Sequence, residues 1–406
     1  MRCSPHYPGS RCNGRTRQTL AIMAVCVAAL TAGCTSAGTG TGTGTGAYVT
    51  AGSRSSSAAN PTTSSSEKPQ VPMTSTRQNL PTDGQIVPIA SNFDVDRHIT
   101  RDGSQPKSTA SQPTGNFRTI CQFSHLSYDD PILYPGQVGA SPHLHMFFGN
   151  SAADANSTYS SLRTSGDGTC DGGPINRTAY WAPAVFNAQG KVVIPDFITV
   201  YYKGENTSSL KAIQKLPPIP IGLRMVAGYS ASNPTVYGND RFDWYCEQAT
   251  NDQKTKTIPN CPSDQRVGVH LDFPSCWDGR NIDSPDHRSH LAYAYYGENG
   301  VEICPPDHPL LIPTVEIGIW FTHDGDSKDW YLSSDRMPGM TVIPNGSSFH
   351  SDWFGAWDPT VMSNIVKVCI NGALDCQGGQ LGEGTSLSQV PNEYAGPKLI
   401  VPPPHP

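Results

Sequence analysis

His143-Leu144-His145 sits inside the run Ser141 to Asn150. On an extended chain alternate side chains face opposite ways, so His143 and His145 share one face while Leu144, Met146 and Phe148 take the other. The apolar face can enter a core while two imidazoles point together outward, the beginning of a metal site or an acid–base site. A second group lies in the segment Phe273 to His290, where Asp278, Asp283, Asp286, His287 and His290 are packed into a stretch that proline and glycine keep irregular. Loops at sheet ends collect binding groups. His143, His145 and His290 can therefore gather a divalent metal. Asp286 can orient one imidazole, as carboxylates do behind metal ligands, and His287, Asp278 and Asp283 can serve as general acid or base. The competing role for Asp and Ser in such a loop is to satisfy turn backbone.

A third group is Phe349 to Asp358, with His350, Asp352, Trp353 and Trp357. Together with Trp277, these rings can hold a polysaccharide by an apolar face beside hydrogen-bonding edges, or they can anchor the core ahead of a helix at Asp358. Tyr180 to Ala184 carries the same ambiguity. His125, with Asp129 or Asp130, is a further candidate. The chain has no Gly-x-Ser-x-Gly elbow and no glycine-rich phosphate loop, so a serine hydrolase has little support. With a formal charge of −6 and no basic stripe, nucleic acid is not a natural partner.

The elements that must position these groups are strands. The chain has 39 glycines and 36 prolines in 406 residues, and only 15% of it is charged, which argues against long helices. Alternation predicts strands over Gln265–Phe273 (Val267, Val269, Leu271 and Phe273 inward) and Thr314–Phe321 (Val315, Ile317, Ile319 and Phe321 inward). It also predicts Lys191–Ile194, Phe197–Tyr202 and Leu223–Ala227. Asp358 followed by Pro359 predicts a helix stopping near Gly372, and a shorter one fits Asn150 to Arg163. The fold expected is mainly β: one antiparallel, sandwich-like domain with few short helices. Eight of the twelve cysteines follow residue 120, an even number that predicts a disulfide framework; Cys246–Cys261 and Cys369–Cys376 are the nearest local pairs.

The N-terminus reads as a processing segment. Arg2, Arg11, Arg15 and Arg17 precede the apolar stretch Leu20 to Leu30, which ends in Leu30-Thr31-Ala32-Gly33-Cys34, a sequence resembling a lipobox. Residues 1–33 are then a signal peptide, Cys34 the lipidated first residue, and the mature protein is exported and held on the outer face of a membrane; an ordinary secretory signal is the competing reading. Residues 34–81 form a Ser/Thr/Gly spacer too polar to fold. An extended lead-in follows over 82–120, then the folded domain over 121–382 and a Pro-rich tail over 383–406.

Ser141–Asn150, Tyr180–Ala184, Leu223–Gly228, Phe273–His290, Cys304–Pro309 and Phe349–Asp358 together resemble the secreted domain of unknown function numbered nineteen ninety-six, found in actinobacteria and fungi. The resemblance implies an exported protein, in fungi sometimes joined to a carbohydrate-binding module, and brings no established activity. Two functions follow from the residues: a metal-dependent or acid–base hydrolase of an envelope or extracellular glycan, and a polysaccharide-binding surface without catalysis. Convergence of three histidines in one cleft favours the first.

Overall fold

The computed structural model describes residues 87–109, 114–204, 215–230, 241–296, 302–323, 325–390 and 398–406, all within one compact unit, Thr74–Pro406. The signal segment, Cys34 and the spacer lie outside the described residues. No helix among the described residues is long and apolar enough to cross a membrane.

Two sheets form the body. In the five-stranded sheet the order is Arg224–Gly228, His350–Phe354, Ala179–Pro183, His145–Gly149, Phe123–Ser127, antiparallel throughout. The seven-stranded sheet runs Phe242–Cys246, Val267–Asp272, Thr314–Phe321, Phe197–Lys203, Asn116–Cys121, Leu374–Cys376, Lys107–Ser108, with one parallel pairing, between Leu374–Cys376 and Asn116–Cys121. Alternation decides which faces meet. Val267, Val269, Leu271, Val315, Ile317, Ile319 and Phe321 pack in one core cluster with Met146, Phe148, Tyr180, Ala182, Met225 and Trp353 of the smaller sheet. The Tyr180 and Tyr202 hydroxyls meet at 2.9 Å between the sheets, and the indoles of Trp353 and Trp357 donate to the Tyr202 hydroxyl. The sandwich expectation holds, and the strand assignments fall within a residue or two of their predicted ends.

The smaller sheet is covered on its second face as well. Phe147, Trp181, Val226 and Phe354 pack there against Ile132, Ala153, Tyr159 and Leu162. This layer comes from the turns after Ser127 and from the helix Tyr159–Thr164. The helix foreseen from Asn150 starts only at Tyr159, because Thr158 caps it and the preceding residues are held in turns by the Asn150 and Asp154 side chains. The helix at Pro359 forms as expected: Asp358 accepts from the Thr360 and Val361 amides, and helical backbone continues to Ile370.

Four disulfides join Cys121–Cys170, Cys246–Cys261, Cys276–Cys304 and Cys369–Cys376, including both local pairs. The flanking segments also enter the fold. Ile99–Arg101 in the lead-in pairs with Thr385–Leu387, and Lys398–Ile400 in the tail pairs with Val192–Ile194.

Candidate metal centre

His145 opens its strand, and His350 opens the strand His350–Phe354 two places across the same sheet. His143 lies in the bend before the first of these strands. The three imidazoles converge so that one ligand atom from each lies within 4.8 Å of the others. The His143 and His350 Nε2 atoms are 3.1 Å apart, and the His143 and His145 ring centroids 4.4 Å.

Backbone carbonyls fix two of the rings. Nδ1–H of His145 donates to the Asp129 carbonyl at 3.0 Å, and that of His350 to the Ser348 carbonyl at 2.9 Å. With the proton on Nδ1, each ring carries its lone pair on Nε2, the arrangement that outer contacts impose on metal-ligating histidines. Nε2 of His145 and Nδ1 of His143 are buried and have no hydrogen-bond partner. The His143 and His350 Nε2 atoms meet each other, the His145 Nε2 beside them has no partner, and three imidazoles converging in this way are what a transition-metal site requires. Burial also keeps the rings neutral: it pushes His145 down to about 4 and His350 down to about 3, and holds His143 well below the usual imidazole range. Neutral imidazole is the ligating form.

The expectation that His143 and His145 point outward needs correction. They do lie opposite Leu144, Met146 and Phe148, but His145 is fully buried because the second face of the sheet carries its own cover. Asp352 lies on this covered face, two residues beyond His350. It is fully buried, and both its carboxylate oxygens lack a partner. Burial, and then the charge of Asp130, raise its carboxyl well above the usual range, with Arg288 acting the other way. Asp130 itself is pushed up to about 6 by burial while its Oδ1 accepts from the Ile132 and Leu133 amides. The two carboxyls form a buried pair that keeps a proton near neutral pH.

The loop that carries the other predicted residues lies along the edge strand Arg224–Gly228 and satisfies its outer backbone. The Ile282 carbonyl accepts from the Arg224 amide, His290 Nε2 donates to the Arg224 carbonyl at 2.7 Å, and Arg288 donates to the Val226 carbonyl at 3.1 Å. The other His290 nitrogen meets the Ser284 hydroxyl. With both nitrogens engaged, His290 is structural and does not join His143 and His145. His350 takes that place.

Asp283 pairs with Arg224 at 3.1 Å and with His287 Nδ1 at 3.0 Å. Asp278 and Asp286 hold turns. Asp278 accepts from the Arg280 and Asn281 amides, and Asp286 from the Arg288 and Ser289 amides. Partial burial would raise Asp286, but these bonds, Ser289's first, hold it below the carboxylate range. His287 has φ +58°, a left-handed backbone uncommon outside glycine, and such strain gathers at functional sites. It also interacts electrostatically with Asp130.

Trp353 and Trp357, expected on a polysaccharide, are core residues, 2% and 5% exposed. Trp277 is half-buried, its indole donating to the Asn281 carbonyl. Both nitrogens of His125 are occupied, by the Ser124 hydroxyl and the Ala153 carbonyl, and its ring stacks on Phe147.

A second convergent set, His270, Asp272 and Glu316, lies on the outer face of the seven-stranded sheet. His270 Nε2 is 3.0 Å from Glu316 and 3.4 Å from Asp272, and Lys203 also contacts Glu316. Burial pushes the His270 imidazole down, but the two carboxylates outweigh it and hold it at about 9; reciprocally, His270 and Lys203 overcome the effect of burial on Glu316 and hold it at about 2. These carboxylates are already neutralised by cations, so this set is an ion-pair network.

The model of the family described as "Domain of unknown function (DUF1996)" matches residues 130–357. No curated protein and no solved structure matches the chain. The matched span contains the three converging histidines, Asp130, Asp352 and the loop along the edge strand, and the chain belongs to the DUF1996 family.

Proposed function

We propose that this protein is an exported, metal-dependent hydrolase whose centre is His143, His145 and His350. The observation that carries the reading is the convergence of three imidazoles, one ring nitrogen of each within 4.8 Å of the others, with Nε2 of His145 buried and unpartnered. A divalent metal held there would supply Lewis acidity, and three protein ligands leave room for substrate. Asp129 and Ser348 orient two ligands through their carbonyls. Asp352 and Asp130 hold a proton for the leaving oxygen and accept one from the incoming water, a role that raised carboxyl pKa values suit. Arg288 limits the charge of the pair when it ionises.

A glycan of the envelope or surroundings is the substrate class that an exported chain with a long polar spacer suits. Assayed as the mature protein, zinc-loaded wild type should release reducing ends from such glycans, and chelation or His350→Ala should abolish release. Hydrolysis that survives chelation would overturn the metal role. The setting itself, lipid-anchored at Cys34, predicts a diacylated cysteine at the mature N-terminus; mass spectrometry finding an unmodified peptide that starts elsewhere would reject the anchor. The non-catalytic reading, polysaccharide binding, draws its support from a different face of the molecule.

A further inference from the structure

The outer face of the seven-stranded sheet is the floor of a cleft of about 920 Å³, near the upper end of what ligand pockets span. Its lining includes Tyr201, Tyr245 and Trp320, all half-buried, so each ring is partly open to the cleft. Strand geometry produces this platform. Tyr201, Glu316 and Trp320 alternate with core residues on adjacent strands, and glycine at 268 lets the Trp320 and Tyr245 rings lie close over the sheet, since a Cβ there would come within 3.0 Å of both.

Cations flank the rings. The Lys203 ammonium is 4.6 Å and the Arg118 guanidinium 5.9 Å from the Tyr201 centroid, while Arg266 lies 5.6 Å from Trp320. Arg241 completes the set of arginines lining the cleft, stacking 4.5 Å over Tyr293. The lining carboxylates, Asp272 and Glu316, are engaged by His270 and Lys203, and Glu247 at the margin takes Arg266. Among the described lining residues the cations outnumber the carboxylates, and Arg118 Nε is buried without an acceptor.

We propose that this cleft binds an acidic oligosaccharide, its sugar rings stacked on Tyr201, Tyr245 and Trp320 and its carboxylates taken by Arg118 and the neighbouring cations. Flat aromatic faces favour the apolar side of a pyranose, and a planar guanidinium matches a carboxylate in two-point geometry. The platform selects a sugar and the charge selects an acidic one. This site is separate from the three histidines: it lies on the other sheet and has no residue in common with them.

Isothermal titration of the mature protein with tetragalacturonate, cellotetraose and inorganic phosphate tests the assignment. Tetragalacturonate should bind at least about tenfold more tightly than cellotetraose, and its binding should weaken as salt rises. Tyr201→Ala and Arg118→Gln, each with unchanged melting, should each weaken it by about tenfold or more, and His145→Ala should not affect it. If Arg118→Gln fails to fold, Tyr201→Ala and the salt series on wild type still decide. Equal binding of the neutral tetramer, binding of phosphate as tight as that of the acidic tetramer, indifference to Tyr201→Ala, or no binding of tetragalacturonate would each overturn the proposal.

Discussion

Purified protein stripped of metal and titrated with zinc should take up one equivalent at the His143, His145 and His350 centre, and its melting temperature should climb with zinc concentration. A ligand that binds only the folded state stabilises it by RT ln(1 + [L]/Kd), about 4 kcal/mol at a thousandfold excess over Kd. His350→Gln removes one of three ligands and should weaken uptake by at least about a hundredfold and abolish the zinc-dependent rise. Metal-free stability reports the packing of these rings independently of metal. His145 is fully buried and bonded to the Asp129 carbonyl, so His145→Ala should cost about 2–4 kcal/mol through lost packing and an unpaired carbonyl, even without zinc. Wild type that binds no metal, with His350→Gln unchanged in every respect, would reject the centre.

Acid gives a second signature of the same site. Burial holds His350 at about 3 in the folded protein against 6.5 for a free imidazole. Between those values the unfolded chain carries a proton that the folded one lacks, so this residue's contribution to stability falls as pH falls through the window. Each pH unit in the window is worth up to about 1.4 kcal/mol. The metal-free His350→Gln protein lacks this term, so its stability relative to wild type should improve steadily as pH is lowered from 6.5 towards 4. Urea titrations at several pH values measure the difference. A constant difference across the window would mean that His350 is not held neutral by burial.

The alternation around His143 was legible because it is a property of the strand alone. Leu144, Met146 and Phe148 face the sandwich core as that period requires. The burial of His145 was not legible, because its cover comes from Ile132, the helix Tyr159–Thr164 and other segments whose return to this face is a matter of topology. For the same reason the sequence pattern points to His290 rather than His350 as the third converging histidine. In sequence, His290 resembles a ligand beside its aspartates, yet both its nitrogens are used in tying the loop to an edge strand. The signal for His350 was present: His350-Ser351-Asp352 repeats the alternation of His143-Leu144-His145 and puts an imidazole and a carboxyl on one face of a strand. Trp353, the residue after Asp352 and so on the opposite face of the strand, had to face the core. The disulfides divide similarly, since Cys369–Cys376 closes a short loop whereas Cys121 and Cys170, 49 residues apart, meet only through the sheet. The cleft over His270 escaped notice because Tyr201, Tyr245, His270 and Trp320 come from four strands, and each taken singly reads as the polar face of a sheet.

Asp352 should show the opposite behaviour from an ordinary core residue: removing its carboxyl should stabilise the fold and abolish function. Its side chain is fully buried, neither oxygen has a partner, and the nearby charge of Asp130 is of like sign. A buried polar group without a hydrogen bond costs about 1–3 kcal/mol, and across the sheet from it lie Trp181 and Val226, which would accept an apolar neighbour. Asp352→Val, a β-branched residue of modest volume on a central strand, should therefore raise the metal-free melting temperature by about 2–4 °C. Turnover by the zinc-loaded variant should nevertheless fall by about a hundredfold or more, as general acid–base groups contribute, while zinc affinity stays within a few-fold because Asp352 is not among the converging ligands. Such a combination distinguishes a retained functional carboxyl from a structural one, since proteins keep an unsatisfied buried group at a cost in stability where its chemistry is used. A variant that melts several degrees lower and loses zinc together with activity would show instead that Asp352 supports the architecture of the site, and the proton-transfer role would fall to Asp130.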